Sequence, residues 1–182
     1  MDKTIAVFGG NECVKEKEAY YFGLAYTMGA LLAKSGFTVA TGMGPGLMDQ
    51  ALKGAMEAGG KTFGVGVEVP GRAHSKYVTD SVMMGDLNSR QAKLIEVSDA
   101  YIALPGGVGT LYEISNILVF KNIKRLPEEK PLILVDGYYR ALSGFLEQMM
   151  TEGFLRKEAK AFYKIVETPE EALDIMLKNF GS

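Results

Sequence analysis

The chain has 182 residues, 47% of them hydrophobic, and 20 basic against 22 acidic side chains leave a formal net charge of -2. That length suits a single domain, residues 1–182, with a sizeable core, and the charge balance supplies no basic excess for nucleic acid or a membrane surface. The one cysteine, Cys13, excludes an internal disulfide and a cysteine-rich metal site and fits a reducing compartment.

Thr4-Ile5-Ala6-Val7-Phe8 reads as an apolar strand, reached without a basic region and signal core before it, and no apolar run reaches membrane-spanning length, so a cytoplasmic protein is expected. Gly9-Gly10-Asn11 then opens a loop in the place where open α/β sheets bind ligands, which makes Gly10 and Asn11 candidate substrate contacts. This turn lacks the third glycine of a dinucleotide fingerprint, and no acidic residue ends the second strand, so a nicotinamide cofactor is disfavoured. From Lys15 to Ser35 apolar residues recur at helical spacing, with Ala19, Phe22, Tyr26, Gly29, Ala30 and Ala33 near one stripe, and Gly36 stops the helix. Tyr20, Tyr21 and Tyr26 read as core or rim rather than ligand contacts.

Phe37 to Thr41 is the second strand. The turn Gly42-Met43-Gly44-Pro45-Gly46 leads into a helix through Ala58, which Gly59-Gly60 ends. It is neither a P-loop, since the Lys-Ser/Thr pair is missing, nor a dinucleotide turn, so taken alone it is either a ligand contact or a tight turn. Lys61 to Val67 reads as the third strand and Pro70 to Lys76 as a polar loop. His74, the only histidine, reads as a solvated loop residue there, and without partners for it no catalytic metal is expected. Val82-Met83-Met84 is a short strand, and Asn88 to Ile95 a helix started by Asp86 or Asn88. Arg90 lies in the first turn of that helix, where residue type alone suggests a solvated side chain.

Asp99 to Leu104 reads as a buried strand, and the stretch after it organises the rest: Pro105-Gly106-Gly107-Val108-Gly109-Thr110-Leu111-Tyr112-Glu113. Pro105 ends the strand, and Gly106, Gly107 and Gly109 allow close backbone approach at the start of a helix, where unpaired amides and the positive end of the dipole attract an anion. Thr110 adds a hydroxyl donor, and Glu113 falls about one turn further on, beside the anion but outside its pocket. Ile114 to Phe120 is apolar almost all round and must therefore be buried all round. A sheet covers only one face, so the other is expected to meet a second copy in a homodimer. Arg125 to Lys130 is a charged loop, Pro131 to Val135 a strand, Tyr138 to Glu152 a helix capped by Gly153, and Phe162 to Glu167 a last short strand. Thr168-Pro169-Glu170-Glu171 is a capping box that starts the final helix.

The organising stretch resembles the Pro-Gly-Gly-x-Gly-Thr-x-x-Glu signature of the LOG ("lonely guy") family of cytokinin riboside 5'-monophosphate phosphoribohydrolases, often labelled possible lysine decarboxylases. The resemblance extends over nearly the whole chain. Gly42, Gly44, Gly46, Leu47 and Met48 match a Gly-x-Gly-x-Gly-Leu-Met stretch of the family, and Arg90 falls on the arginine of its Met-x-x-Arg-Lys segment. The resemblance makes Arg90 and Glu113 catalytic, and Gly10, Asn11, Gly42, Gly44, Gly46, Met84, Gly106, Gly107, Gly109 and Thr110 substrate-binding. Two positions depart from the pattern. Gly10 and Asn11 stand where serines usually face the nucleotide, and Gln91 replaces the usual lysine, which removes a positive charge and predicts a changed or weaker substrate preference.

Strands that alternate with helices and are nearly continuous in apolar residues predict an α/β fold, a Rossmann-like doubly wound parallel sheet with helices on both faces, whose glycine turns gather along one edge. The activity the resemblance implies is hydrolysis of a nucleoside 5'-monophosphate, AMP or an N6-modified adenine nucleotide, to free base and ribose 5-phosphate, without a cofactor. The alternative is a non-catalytic carrier of a phosphorylated ligand such as molybdenum cofactor; retention of Arg90 and Glu113 favours the enzyme. A lysine decarboxylase would need a Schiff-base lysine and a pyridoxal phosphate site, and no segment announces either.

Overall fold

Successive residues along the strands are apolar on both sides because both faces of the sheet are covered by helices. In the computed structural model, which describes residues 3–71 and 73–181, seven strands form one sheet: β1 Thr4–Phe8, β2 Thr38–Thr41, β3 Thr62–Val67, β4 Asp80–Met84, β5 Ala100–Ala103, β6 Leu132–Val135 and β7 Lys164–Val166. Their order is β4-β3-β2-β1-β5-β6-β7, and every pairing is parallel. Ile5 and Val7 of β1 face one core while Ala6 and Phe8 face the other, and Ile133 and Leu134 of β6 part in the same way.

Helices α1 Lys15–Lys34, α2 Leu47–Glu57 and α6 Pro169–Phe180 supply one core through Met28, Leu32, Leu52 and Met176. Helices α3 Leu87–Val97, α4 Val108–Asn122 and α5 Arg140–Thr151 supply the other through Leu94, Ile117 and Leu146. The chain leaves β1 for a helix on the first face and leaves β5, its neighbour, for a helix on the second. The two connections diverge at the carboxyl ends of these strands and open a crevice there, at the topological switch point. Among the described residues no helix is long and apolar enough to cross a membrane.

Several local expectations change. The buried stripe of α1 runs through Ala25, Met28, Gly29 and Leu32, whereas Ala19 is exposed. A Cβ on Gly29 would collide with the backbone of Ala51 and one on Gly54 with that of Tyr26, so α1 and α2 touch backbone to backbone, and that crossing selects the stripe. The segment expected to be helical from Tyr138 begins as a 3-10 turn, Gly137–Tyr139, before α5. Asp86 caps α3 by accepting from the amides of Asn88 and Ser89. At α6 the Thr168 hydroxyl accepts from Glu171 N–H, but the Glu171 carboxylate turns to Glu167 N–H instead of closing the box on Thr168. In α4, Ile114, Ile117 and Leu118 are buried while Val119 is half exposed, so this helix is not covered on every side within one chain.

Candidate active site

The crevice is a cleft of about 490 Å³ walled by the turns that follow β1, β2 and β5 and by the first turns of α3 and α4. Gly107 is the N-cap of α4 and has no side chain to bond the helix amides, so the first N–H groups of the helix are left for a ligand. Leu111 N–H is the first to be used internally, donating to Gly107 O at 3.0 Å. By contrast, the first amide of α2 is taken: Leu47 N–H donates to Gly10 O at 2.9 Å. Of these two helix starts, α4 is the one open to an anion.

One turn into α4 the Glu113 side chain is buried, with Oε1 3.7 Å from Nη2 of Arg90. Burial pushes the Glu113 carboxyl up to about 7, and the neighbouring guanidinium only partly offsets this. Arg90 comes from α3 and donates from Nε to Val65 O at 3.1 Å, which ties the guanidinium to the end of β3. A Cβ on Gly42 would occupy the place of that guanidinium, so glycine at the end of β2 is what lets Arg90 lie across the cleft floor. Arginine from α3 and carboxyl and open amides from α4 thus converge, in space that Gly42 after β2 leaves free.

The sequence profile of the family described as "Possible lysine decarboxylase" matches residues 48–176. A "Cytokinin riboside 5'-monophosphate phosphoribohydrolase" of Rhodococcoides fascians is 34% identical over 160 residues, covering 84% of this chain and 78% of its own. The chain belongs to the LOG family. A second LOG relative, the rice protein "Probable cytokinin riboside 5'-monophosphate phosphoribohydrolase LOGL2", is 29% identical over 94% of this chain and 71% of its own. Among solved structures, the molybdenum cofactor binding protein of Rippkaea orientalis shares the fold, with a TM-score of 0.76 and 24% identity over 98% of this chain and 97% of that one.

Of the residues given catalytic or substrate-binding roles on the LOG pattern, Gly10, Asn11, Gly42, Gly44, Arg90, Gly107, Gly109, Thr110 and Glu113 line the cleft. Three do not. Gly46 takes a positive φ of 73° at the start of α2, with the backbone of Asn11 and Gly10 where a Cβ would stand. Gly106 is covered by the Thr110 side chain and Gly10, and Met84 packs into the core at the end of β4. Gln91, expected to bear on the substrate, is 1% exposed and absent from the cleft lining, because it lies on the face of α3 that meets the sheet.

Sequence reasoning missed the opposite wall. Val67, Val69, Leu87 and Tyr112 also line the cleft, and so does His74, which is partly buried rather than solvated, with Nε2 3.8 Å from Glu68 Oε1. No local pattern announces these residues, since Pro70-Gly71 marks a turn in the long connection after β3 without saying where that connection settles. Only the position of Val67 at a strand's carboxyl end, the general place for ligands in such sheets, could have flagged it.

Proposed function

We propose that this protein hydrolyses the N-glycosidic bond of a nucleoside 5'-monophosphate, AMP or an N6-modified adenine nucleotide, releasing free base and ribose 5-phosphate. The observation that carries this reading is the buried Glu113 carboxyl held 3.7 Å from Arg90, one helical turn from the open amides of α4. Cleavage between C1' of the ribose and the base develops positive charge on the sugar, and a carboxylate in a dry site is the group that stabilises it and takes a proton from the attacking water. The amides of Gly107 and Gly109 and the hydroxyl of Thr110 anchor the 5'-phosphate, which leaves the ribose beside Glu113. Arg90 binds the substrate and supports the departing base. Gly10, Asn11, Gly42 and Gly44 form the facing side, and the apolar wall of Val67, Val69 and Leu87 takes the flat base.

The names of the relatives support this assignment. We further propose a cytoplasmic homodimer, paired through the uncovered side of α4. The deciding experiment incubates the purified protein with AMP, GMP, CMP, UMP and N6-isopentenyl-AMP and follows free base by chromatography. Release of adenine or its N6-modified form is expected. Tight nucleotide binding with no base released from any of them would replace the enzyme with a carrier of phosphorylated ligands.

A further inference from the structure

The glycine-rich turn is held from behind by the Gly10 amide and by two tyrosines that belong to none of the motifs above. Three consecutive carbonyls between β5 and α4 each accept a hydrogen bond: Leu104 O from the Tyr139 hydroxyl at 2.6 Å, Pro105 O from Gly10 N–H at 3.0 Å, and Gly106 O from the Tyr138 hydroxyl at 2.8 Å. Tyr138 and Tyr139 are neighbours in the 3-10 turn after β6, with their rings edge to face at 5.3 Å, so the two hydroxyls reach carbonyls two residues apart.

The turn that carries them is itself fixed. Asp136 accepts from Tyr138 N–H at 2.8 Å through Oδ1 and from the Tyr20 hydroxyl of α1 at 2.6 Å through Oδ2. Its own backbone holds a φ of 83°, a conformation that costs a non-glycine residue energy and persists where surrounding bonds over-determine it. A chain of bonds therefore runs from α1 through Asp136 and Tyr138 to the turn that precedes α4.

What the clamp controls follows from peptide geometry. In a trans peptide the carbonyl and the following N–H point in opposite directions, so the Gly106 carbonyl turned to Tyr138 sends the Gly107 N–H the other way, towards the side on which Gly107 lines the cleft. Glycines at 106 and 107 offer no side chain to hold that peptide, and a flipped peptide would present an oxygen to an anion instead of a donor. We propose that Tyr138 is a positioning residue for anion binding, whose hydroxyl locks the Gly106–Gly107 peptide so that the Gly107 N–H joins the open amides of α4 in holding the phosphate. This rests on the nucleotide reading of the cleft and names a residue outside it.

Exposure separates this role from folding. Tyr139 is buried, and loss of its hydroxyl would strand the Leu104 carbonyl, whereas Tyr138 is 51% exposed and water can replace its bond without cost to the core. Tyr138→Phe therefore tests orientation alone. Titration calorimetry with ribose 5-phosphate and with adenosine, on wild type and variant, reads the phosphate and the remainder of the site separately. The variant is expected to bind ribose 5-phosphate about five- to tenfold more weakly, the net scale of one ordinary hydrogen bond, with adenosine affinity and melting temperature unchanged. In turnover, KM for AMP rises while kcat stays within about twofold. Equal ribose 5-phosphate affinity in both proteins overturns the clamp, and so does a parallel loss of adenosine affinity. A wild type that binds no ribose 5-phosphate overturns the nucleotide reading and the clamp with it.

Discussion

Glu113 is a carboxyl whose surroundings hold it near half ionisation at neutral pH, because desolvation outweighs the attraction of Arg90. If the ionised form stabilises the ribosyl cation, kcat/KM should rise through a midpoint near 7. Glu113→Gln should remove that acid limb and lower kcat about a hundredfold while nucleotide binding survives. The same shift acts on stability with the opposite sense. A carboxyl whose folded pKa lies above its ordinary 4.5 favours the fold fully below 4.5, and that contribution is lost as pH rises through 7. Glu113→Gln, neutral at every pH, should match wild type near pH 4.5 and exceed it at pH 8, by about 3 kcal/mol at most. Thermal unfolding at the two pH values checks this, and a variant weaker than wild type at pH 8 would refute burial as the dominant cause. Gln91 carries a related burden. Neither amide atom has a hydrogen-bond partner among the described residues, although the side chain is buried. Gln91→Met, similar in volume and without polar atoms, should raise the denaturant midpoint by the equivalent of about 1 kcal/mol and leave KM unchanged. Gln91 does not touch the cleft, so the effect on substrate expected from the missing lysine would act through space and not by contact.

At the scale of elements, the glycine turns had two readings in the sequence, ligand contact or tight turn, and the structure divides them. Gly46 serves the turn, Gly107 and Gly109 line the cleft, and Gly42 both lines it and vacates the space of the Arg90 guanidinium. One methyl group there is accommodated only by moving the guanidinium away, which gives up its bond to Val65 O. Gly42→Ala should therefore leave the far-ultraviolet circular dichroism of the fold intact and lower kcat/KM at least tenfold, about 1.4 kcal/mol of lost transition-state stabilisation. Unchanged kinetics would show that the guanidinium has another productive position. Strand and helix boundaries were legible to within a residue or two at most ends, because Gly36, Gly59 and Gly153 stop their helices at positive φ. The buried stripe of α1 was not. Its composition is apolar on several sides, and the crossing with α2 chooses the stripe through Gly29 against Ala51, a contact between segments distant in sequence.

For the whole molecule, the parallel order and the shared edge of the glycine turns followed from strand composition, whereas the wall built by Val67, Val69 and His74 did not, since it depends on where a long connection settles. One expectation reaches beyond the single chain. Val108, Leu111, Tyr112, Val119 and Ile123 are all exposed and recur along one side of α4, while Ile114, Ile117 and Leu118 fill the opposite side. With 1.5 Å of rise per residue this stripe is roughly 20 Å long, and Leu87 of the adjoining α3 extends it. A stripe of that length left to water would be an unusual patch for a monomer, and a second copy offering the same face covers it with one two-fold contact. Because Val108, Tyr112 and Leu87 also line the cleft, such a partner would stand at its mouth and narrow the path for water. Val119 is the place to test the pairing, being central in the stripe and away from the cleft lining. Val119→Asp puts a charge on both sides of a two-fold contact, so light scattering should give a dimer for wild type and a monomer for the variant at micromolar concentration, with the variant's circular dichroism unchanged. A wild type that scatters as a monomer would leave the stripe for some other partner and the cleft open on that side.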